Sequence, residues 1–366
     1  MHKPIVFTGG GTAGHVFPGL AVAEVLRERG RDNIVWIGST GGMERRLVEE
    51  HGLPFHGIPA GKLRRYLSLW NLVDLAKVAA GFIAAFILLR RLKPAVLFSK
   101  GGYVTVPVVA AARLLGIPTA THESDSDPGL ATRINARFAG RVLLSYDTTA
   151  DYFPPAVRPR CVTVGNPVRR DIARGDAAAG RRRAGVDSER PLLFVVGGSL
   201  GSAQINGLVD AVLAELLARC AVVHQRGEHP APRADGAGYH SAAFIGSEYP
   251  DLLAAADLVV CRAGAGTLWE LAVAGTPAVL IPLPRSSSRG DQERNARIFA
   301  ERGAAVVLEG EQATAKRLLG EIEGLLDDPA RRRRMGEAAA GFDAAGAADR
   351  IARMIDDVVE GGRWTS

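Results

Sequence analysis

Short apolar runs, each followed by a stretch with apolar residues at helical spacing, recur along the whole chain. The first, Ile5-Val6-Phe7, lacks the alternation of a half-exposed strand, and Leu20-Ala21-Val22-Ala23 then resumes at helical spacing. Uninterrupted apolar strands alternating with helices mark parallel sheets covered on both faces. The same reading predicts strands at Ile34–Ile37, Ala95–Phe98, Pro118–Thr121, Val142–Leu144 and Val162–Val164. The pattern then restarts at Leu192–Val196, with further strands predicted at Ala221–His224, Ala243–Ile245, Leu258–Cys261, Ala278–Ile281 and Ala305–Leu308. Two doubly wound, Rossmann-like α/β domains are expected, 1–164 and 165–344, with the active site in the cleft between them. They join near Tyr152–Val168, where four prolines and an arginine-rich turn break regular structure. A last helix, about 345–366, is expected to return to the first domain.

Leu72–Leu89 falls outside this scheme, being apolar nearly all round a helix with Asp74 and Lys77 as its only charges. Its uninterrupted part, Val78–Leu89, is short of the roughly 20 residues that span a bilayer. Lys62, Arg64 and Arg65 precede it, and Arg90, Arg91 and Lys93 follow. Such a segment suits a buried crossover helix or a face resting on anionic lipid, and one helix can serve both. Leu75, Phe82, Phe86 and Leu89 are the residues predicted to dock.

Composition narrows the class. With 366 residues, 47% of them hydrophobic, the chain can bury two ordinary cores. Cys161, Cys220 and Cys261 are widely spaced, which argues against a disulfide framework or a structural zinc cluster and suits a reducing cytoplasm. Met1-His2-Lys3-Pro4 leads straight into a strand, without the regions of a signal peptide. A net charge of +6 suits an acidic partner: nucleic acid, anionic lipid or a nucleotide. Arg181–Arg183 and Arg331–Arg334 lack interleaved aromatics and read as solvated faces, so no nucleic-acid partner is expected.

The chemistry is concentrated in loops that follow strands. Gly9-Gly10-Gly11-Thr12-Ala13-Gly14-His15 joins the first strand to its helix, and glycines there let backbone amides approach an anion. Gly9, Gly11 and Gly14 fit a dinucleotide fingerprint, but Ile34–Ser39 ends without the acidic residue that would hold a ribose. His15 stands where a nucleoside-triphosphate loop needs lysine. Gly197-x-Ser199-x-Gly201 has the form of a nucleophile elbow, yet His224, His229 and His240 do not complete a triad in the required order. Ser199 is therefore read as a hydroxyl and amide donor to phosphate. In the third loop, Cys261–Glu270, Glu270 can accept from two vicinal ribose hydroxyls, or simply favour a helix N-terminus by about 0.3–1 kcal/mol. Arg289–Asn295 is a polar cluster suited to sugar hydroxyls.

In their order these loops closely resemble the MurG family of peptidoglycan UDP-N-acetylglucosamine transferases, glycosyltransferase family 28, over almost the whole chain. The resemblance lies in Gly9–Ala23, Lys100–Pro107, His122–Ala131, Gly165–Arg169, Gly197–Ser202, His224–Gly227, Cys261–Pro284 and Arg289–Ala296. It implies a GT-B fold, with acceptor and membrane on the N-terminal domain and UDP-sugar mainly on the C-terminal one. It further implies an inverting reaction that needs no metal and no cofactor. Thr12, Ala13 and Gly14 would lie near the donor sugar and acceptor. Arg169, Ser199, Ile245 and the loop Ala265, Gly266, Thr267, Leu268, Trp269 and Glu270 would hold UDP, Ile245 through its backbone at uracil and Glu270 at the ribose. Gln292 and Asp125 would contact N-acetylglucosamine, and Gly101, Gly102 and Tyr103 the acceptor diphosphate. Two positions depart from the family: Ala13 replaces a glycine and Asp125 an asparagine.

The implied reaction moves N-acetylglucosamine from UDP to the C4 hydroxyl of undecaprenyl-diphosphate-linked N-acetylmuramoyl pentapeptide. His15 is the first choice of base, since imidazole titrates near working pH, and Asp125 the second. Loop amides, assisted by Arg262, would stabilise the departing UDP. Expected partners are UDP-N-acetylglucosamine, the lipid-linked acceptor, an anionic membrane on its cytoplasmic face, and proteins of cell-wall synthesis and division. The alternatives are a glycolipid glycosyltransferase or UDP-N-acetylglucosamine epimerase of the same fold, or a non-catalytic UDP-binding membrane scaffold.

Overall fold

The computed structural model describes residues 3–61, 70–186, 189–198, 201–228, 236–286, 288–362 and 364, with backbone alone for 70–73. The chain divides into two compact units, Met1–Arg169 with Gly346–Ser366, and Arg170–Ala345. The first contains β1 (Ile5–Thr8), β2 (Ile34–Ser39), β3 (Phe55–Ile58), β4 (Val96–Ser99), β5 (Thr119–Glu123), β6 (Arg141–Leu144) and β7 (Cys161–Thr163). The second contains β8 (Leu192–Val196), β9 (Ala221–Gln225), β10 (Tyr239–Ala242), β11 (Leu258–Cys261), β12 (Ala278–Leu280) and β13 (Ala305–Val307). Both sheets are parallel throughout, ordered β3-β2-β1-β4-β5-β6-β7 and β10-β9-β8-β11-β12-β13.

Every residue of β1, β2, β4, β5, β8, β9, β11 and β12 is buried, so most read as unbroken apolar runs; β5, Thr-Ala-Thr-His-Glu, is instead largely polar though equally covered. Two edge strands depart from expectation. β3, Phe-His-Gly-Ile, has two exposed residues and no apolar run to reveal it. The strand expected at Ala243–Ile245 lies instead at Tyr239–Ala242, in register with Val222–Gln225 of β9. The apolar run follows the ladder, and the Ile245 amide donates to the Gln225 side chain.

In each sheet the chain winds outward from a central strand and then crosses to that strand's other side, at β1/β4 and at β8/β11. Loops leaving the carboxyl ends of these neighbouring strands diverge, and the crevice they leave is where doubly wound sheets take ligands. The glycine loops sit at these two switch points.

The final helix Ala347–Val359 belongs to the first unit and packs on the helix Phe17–Glu28. Ile351 and Ile355 join the core containing Leu20 and Leu26, each worth about 1.5–3 kcal/mol when buried. Arg29 and Arg31 pair with Asp349, Asp356 and Glu360 at its edge, where partly exposed pairs add about 0–1 kcal/mol each. Apolar burial therefore holds this helix in place.

Trp70–Leu92 is one continuous helix with two different faces. Leu89 is fully buried and Phe82 and Phe86 pack beside it on a core that includes Val104 and Val108. This corrects the predicted docking set, because residues 82, 85 and 89 share one side of a helix and that side faces the sheet. The solvent side carries Leu75, Ile83 and Ile87, spaced in multiples of four. Among the described residues, no helix is long and apolar enough to cross a membrane.

Candidate active site

At the first switch point, Trp36 Nε1 donates to the Gly9 carbonyl at 3.0 Å and anchors the start of the loop. Gly11, Gly101 and Gly102 all have φ near +90°, which favours glycine, and the two loops interlock. A Cβ on Gly102 would collide with the Gly10 oxygen and stand 3.3 Å from His15 Nδ1; one on Gly11 would stand 2.9 Å from the Tyr103 ring. His15 Nδ1 lies 3.2 Å from the Gly10 carbonyl and 3.1 Å from Thr12 Oγ1. A carbonyl only accepts, so a hydrogen bond here requires the proton on Nδ1, and in the neutral ring that tautomer leaves the lone pair on Nε2. Nε2 is on the side of Gly101, where a Cβ would lie 3.8 Å away.

Two charged residues missed by sequence reasoning brace these loops. Glu44 is fully buried, accepting from Gly11 N at 3.2 Å and from Ser39 N and Oγ at 2.8 and 2.5 Å. The acid absent from the end of β2 thus comes from five residues further on, and it supports backbone. In the sequence it looks like an ordinary acid in a helix's first turn. Lys100, next to Gly101, is 1% exposed and donates to Ser124 Oγ at 2.5 Å; Ser124 donates on to Asn166 Oδ1 at 2.7 Å. Burial lowers its pKa to about 8, against the opposing charges of Glu123 and Asp125. His122, donating from Nε2 to the Gly165 carbonyl at 2.9 Å, is held well below its ordinary pKa by burial and by the Lys100 charge.

Asp125 is half-buried on the turn after β5. Glu123 organises that turn by accepting from the amides of Ser124, Asp125 and Gly129 at 3.0, 3.1 and 3.0 Å. Thr12 caps the short turn Ala13–His15, which Ala13 and Gly14 begin, and Arg169 stacks its guanidinium 5.7 Å from the Phe17 ring centre. The first unit thus brings His15, Thr12–Gly14, Gly101–Tyr103 and Lys100 together at one switch point.

At the second switch point Ser199 lies outside the described residues. Gly264 starts the helix Ala265–Ala274 without a side-chain cap, and Gly266 and Thr267 are partly open to solvent. Leu268 and Trp269 are fully buried, Trp269 packing edge-on to Phe342, and the Leu268 amide is already committed to the Gly264 carbonyl at 3.1 Å. Glu270 Oε2 accepts from the Tyr249 hydroxyl at 3.0 Å. Arg262 is turned inward: Nη1 donates to Gln204 Oε1 and the Ile281 carbonyl, each at 2.9 Å, and Nη2 to Ser202 Oγ at 2.7 Å. These bonds fasten three loops together.

Gln225, missed in the sequence, links two of the predicted elements. Its Oε1 accepts from Ile245 N at 2.8 Å and its Nε2 donates to the Gly198 carbonyl at 2.9 Å. Gln292 Oε1 accepts from Leu283 N at 3.0 Å. His224, pushed down to about 3 by burial, and Arg226, bound by both nitrogens to Asp210 at 2.7 and 2.8 Å, brace the end of β9. Among the described residues, no group of three or more His, Cys, Asp or Glu side chains is placed to share a metal ion.

Residues 5–144 match the glycosyltransferase family 28 N-terminal domain and residues 192–351 its C-terminal domain. The chain is 47% identical to a UDP-N-acetylglucosamine–N-acetylmuramyl-(pentapeptide) pyrophosphoryl-undecaprenol N-acetylglucosamine transferase of Treponema denticola, covering 84% of each chain. It is 43% identical to the enzyme of the same name from Treponema pallidum, over 98% of this chain and 97% of that one. Among solved structures, Acinetobacter baumannii MurG superposes with a TM-score of 0.74 at 28% identity, over 97% and 99% of the two chains. A UDP-N-acetylglucosamine 2-epimerase from Listeria monocytogenes, at 12% identity and a TM-score of 0.70, shares the fold.

Proposed function

This chain belongs to glycosyltransferase family 28, and from that membership we infer that it transfers N-acetylglucosamine from UDP to lipid-linked N-acetylmuramoyl pentapeptide. The acceptor is the undecaprenyl-diphosphate form, and the product is the disaccharide-linked lipid of peptidoglycan synthesis. The observation that carries the reading is the match of both halves of the chain to the two family domains, each with its glycine loop at a sheet switch point.

The acceptor's C4 oxygen attacks the anomeric carbon of the donor as the bond to UDP breaks, inverting that centre. His15 takes the hydroxyl proton on Nε2, because its Nδ1 proton is committed to the Gly10 carbonyl. Gly101 and Gly102 offer amides to the acceptor diphosphate, with Tyr103 packed behind the first loop. On the second unit, the uncapped amides of Ala265–Thr267 and the loop around Ser199 take the charge that grows on UDP, and Glu270 the ribose hydroxyls. With the Ile245 N–H engaged by Gln225, its carbonyl is the backbone group that meets uracil N3–H. Gln292 and Asp125 contact the transferred sugar, and Arg169 contributes to donor binding. The acceptor is membrane-bound, and Leu75, Ile83 and Ile87, followed by Arg90, Arg91 and Lys93, form the face that rests on the anionic cytoplasmic leaflet.

Incubation with radiolabelled UDP-N-acetylglucosamine, with and without a lipid-linked acceptor analogue, tests the reaction. Label should move to lipid only when acceptor is present. Epimerised nucleotide sugar without acceptor, or UDP binding with no turnover, refutes the reading.

A further inference from the structure

The reaction as drawn gives the loop Gly101–Tyr103 to the acceptor diphosphate, and glycine peptides turn more freely than any others. Here one of them is pinned from the protein side. The Gly102 carbonyl accepts from the Thr105 amide at 3.1 Å and from Thr105 Oγ1 at 2.8 Å, at the start of the helix Thr105–Leu114. Thr105 Oγ1 in turn lies 2.7 Å from Asn135 Nδ2. Chemistry sets the direction of this chain: a carbonyl only accepts, so the hydroxyl commits its one proton to Gly102 and must accept from the Asn135 amide. In a planar trans peptide the C=O and N–H point opposite ways, so a Gly102 carbonyl drawn towards the helix turns the Tyr103 N–H away from it. That N–H meets no backbone carbonyl among the described residues.

Asn135 is unfavourable where it stands. It ends the short helix Leu130–Asn135 and is fully buried; Nδ2 also reaches Ser99 Oγ at 3.4 Å, but Oδ1 has no hydrogen-bond partner among the described residues. A buried amide oxygen left without a partner destabilises a fold relative to an apolar side chain of similar size. What the residue supplies in exchange is the donor that fixes the Thr105 hydroxyl, and Thr105 is fully buried as well.

We propose that Asn135 and Thr105 are positioning residues for the acceptor diphosphate: acting in series, they pin the Gly102 carbonyl at the helix start and so turn the Tyr103 amide outward as a donor to the diphosphate. The proposal rests on the glycosyltransferase reading above, which places the diphosphate at this loop. Its consequence is that two buried side chains without ligand contact set acceptor affinity, and that neither matters without the other.

Five full-length proteins test this: wild type, Thr105→Val, Thr105→Ser, Asn135→Leu and the double variant Thr105→Val with Asn135→Leu. Each is assayed for kcat and acceptor KM, and for binding of farnesyl diphosphate with UDP saturating so that the nucleotide site is filled. Thr105→Val should raise acceptor KM and the farnesyl diphosphate Kd by about ten-fold, as expected for one hydrogen bond to a charged group, while kcat changes by less than about two-fold. Asn135→Leu should do the same without lowering the thermal midpoint, and Thr105→Ser should stay near wild type. The double variant should match Thr105→Val alone, because the two residues act in series. A merely structural pair would lower the thermal midpoint without separating KM from kcat. An Asn135→Leu protein with acceptor KM within about two-fold of wild type, or losses that multiply in the double variant, overturns the proposal. If Asn135→Leu is insoluble, Asn135→Ala takes its place under the same criteria. If the wild type transfers no sugar, the glycosyltransferase reading falls by itself; the positioning is then read from farnesyl diphosphate alone, and equal Kd values for wild type and Thr105→Val overturn it.

Discussion

Gly102→Ala asks whether the two glycine loops of the first unit must touch for the reaction to run. At φ +87° an alanine costs about 1–2 kcal/mol in backbone strain. The larger effect is steric, since the new Cβ collides with the Gly10 carbonyl oxygen. To reach an ordinary contact near 3.5 Å, that carbonyl must retreat by about 1 Å. The same oxygen holds His15 Nδ1 at 3.2 Å, so the retreat breaks the hydrogen bond that sets the ring's tautomer and direction. A base misplaced by about 1 Å costs on the order of 10²-fold in rate. Gly101→Ala is the internal control: its φ is +91°, but the nearest atoms to a Cβ, His15 Cδ2 and Thr132 Oγ1, are both at 3.6 Å. The two variants should share a modest loss of thermal stability, and only Gly102→Ala should lose about 10²-fold in kcat. UDP affinity by calorimetry should be unchanged in both. A folded Gly102→Ala protein with kcat within about three-fold of wild type, or a larger loss in Gly101→Ala, refutes the reasoning.

His15→Ala should lower turnover by about 10²–10⁴-fold and leave UDP affinity intact; unchanged turnover removes His15 as the base. Changing Ile83 and Ile87 to Ser should weaken sedimentation with anionic liposomes at unchanged thermal midpoint, whereas Phe82→Ser and Phe86→Ser should chiefly destabilise the fold; the opposite pattern returns membrane contact to the phenylalanines. Lys100 also predicts a pH effect. Its pKa falls from 10.5 unfolded to about 8 folded, so its penalty is complete below pH 8 and vanishes as pH rises towards 10.5. Across that window it should add stability at up to about 1.4 kcal/mol per pH unit, a slope that Lys100→Met should lack in urea melts. Parallel slopes for the two proteins would contradict the burial of a charged amine.

Much of the candidate site can be proposed from the sequence because its residues are continuous there. Gly9–His15 and Gly197–Gly201 declare themselves by glycine after an apolar strand, and Ala265–Glu270 by small residues and an acid at a helix start. Glu44, Lys100 and Gln225 were not legible, because each acts on a loop distant in sequence: Glu44 on Gly11 across 33 positions, Gln225 on Gly198 across 27. Arg262 was visible, but its partners were not, since an arginine in a phosphate-type loop has the same sequence signature whatever carbonyls it also meets. The helix Trp70–Leu92 was apolar all round, so periodicity could not say which side would be covered.

The sequence by itself determined the two doubly wound sheets, the placing of glycine loops after their strands, and the likeness to a family of sugar transferases. These follow from local patterns: most covered strands are apolar runs, and backbone that must approach an anion is glycine. Only the tertiary structure decided which nitrogen of His15 meets the Gly10 carbonyl, which face of the 70–92 helix stays open, and that a lysine lies buried against Ser124. Those are properties of packing, where what a side chain does depends on the neighbours that distant segments bring to it.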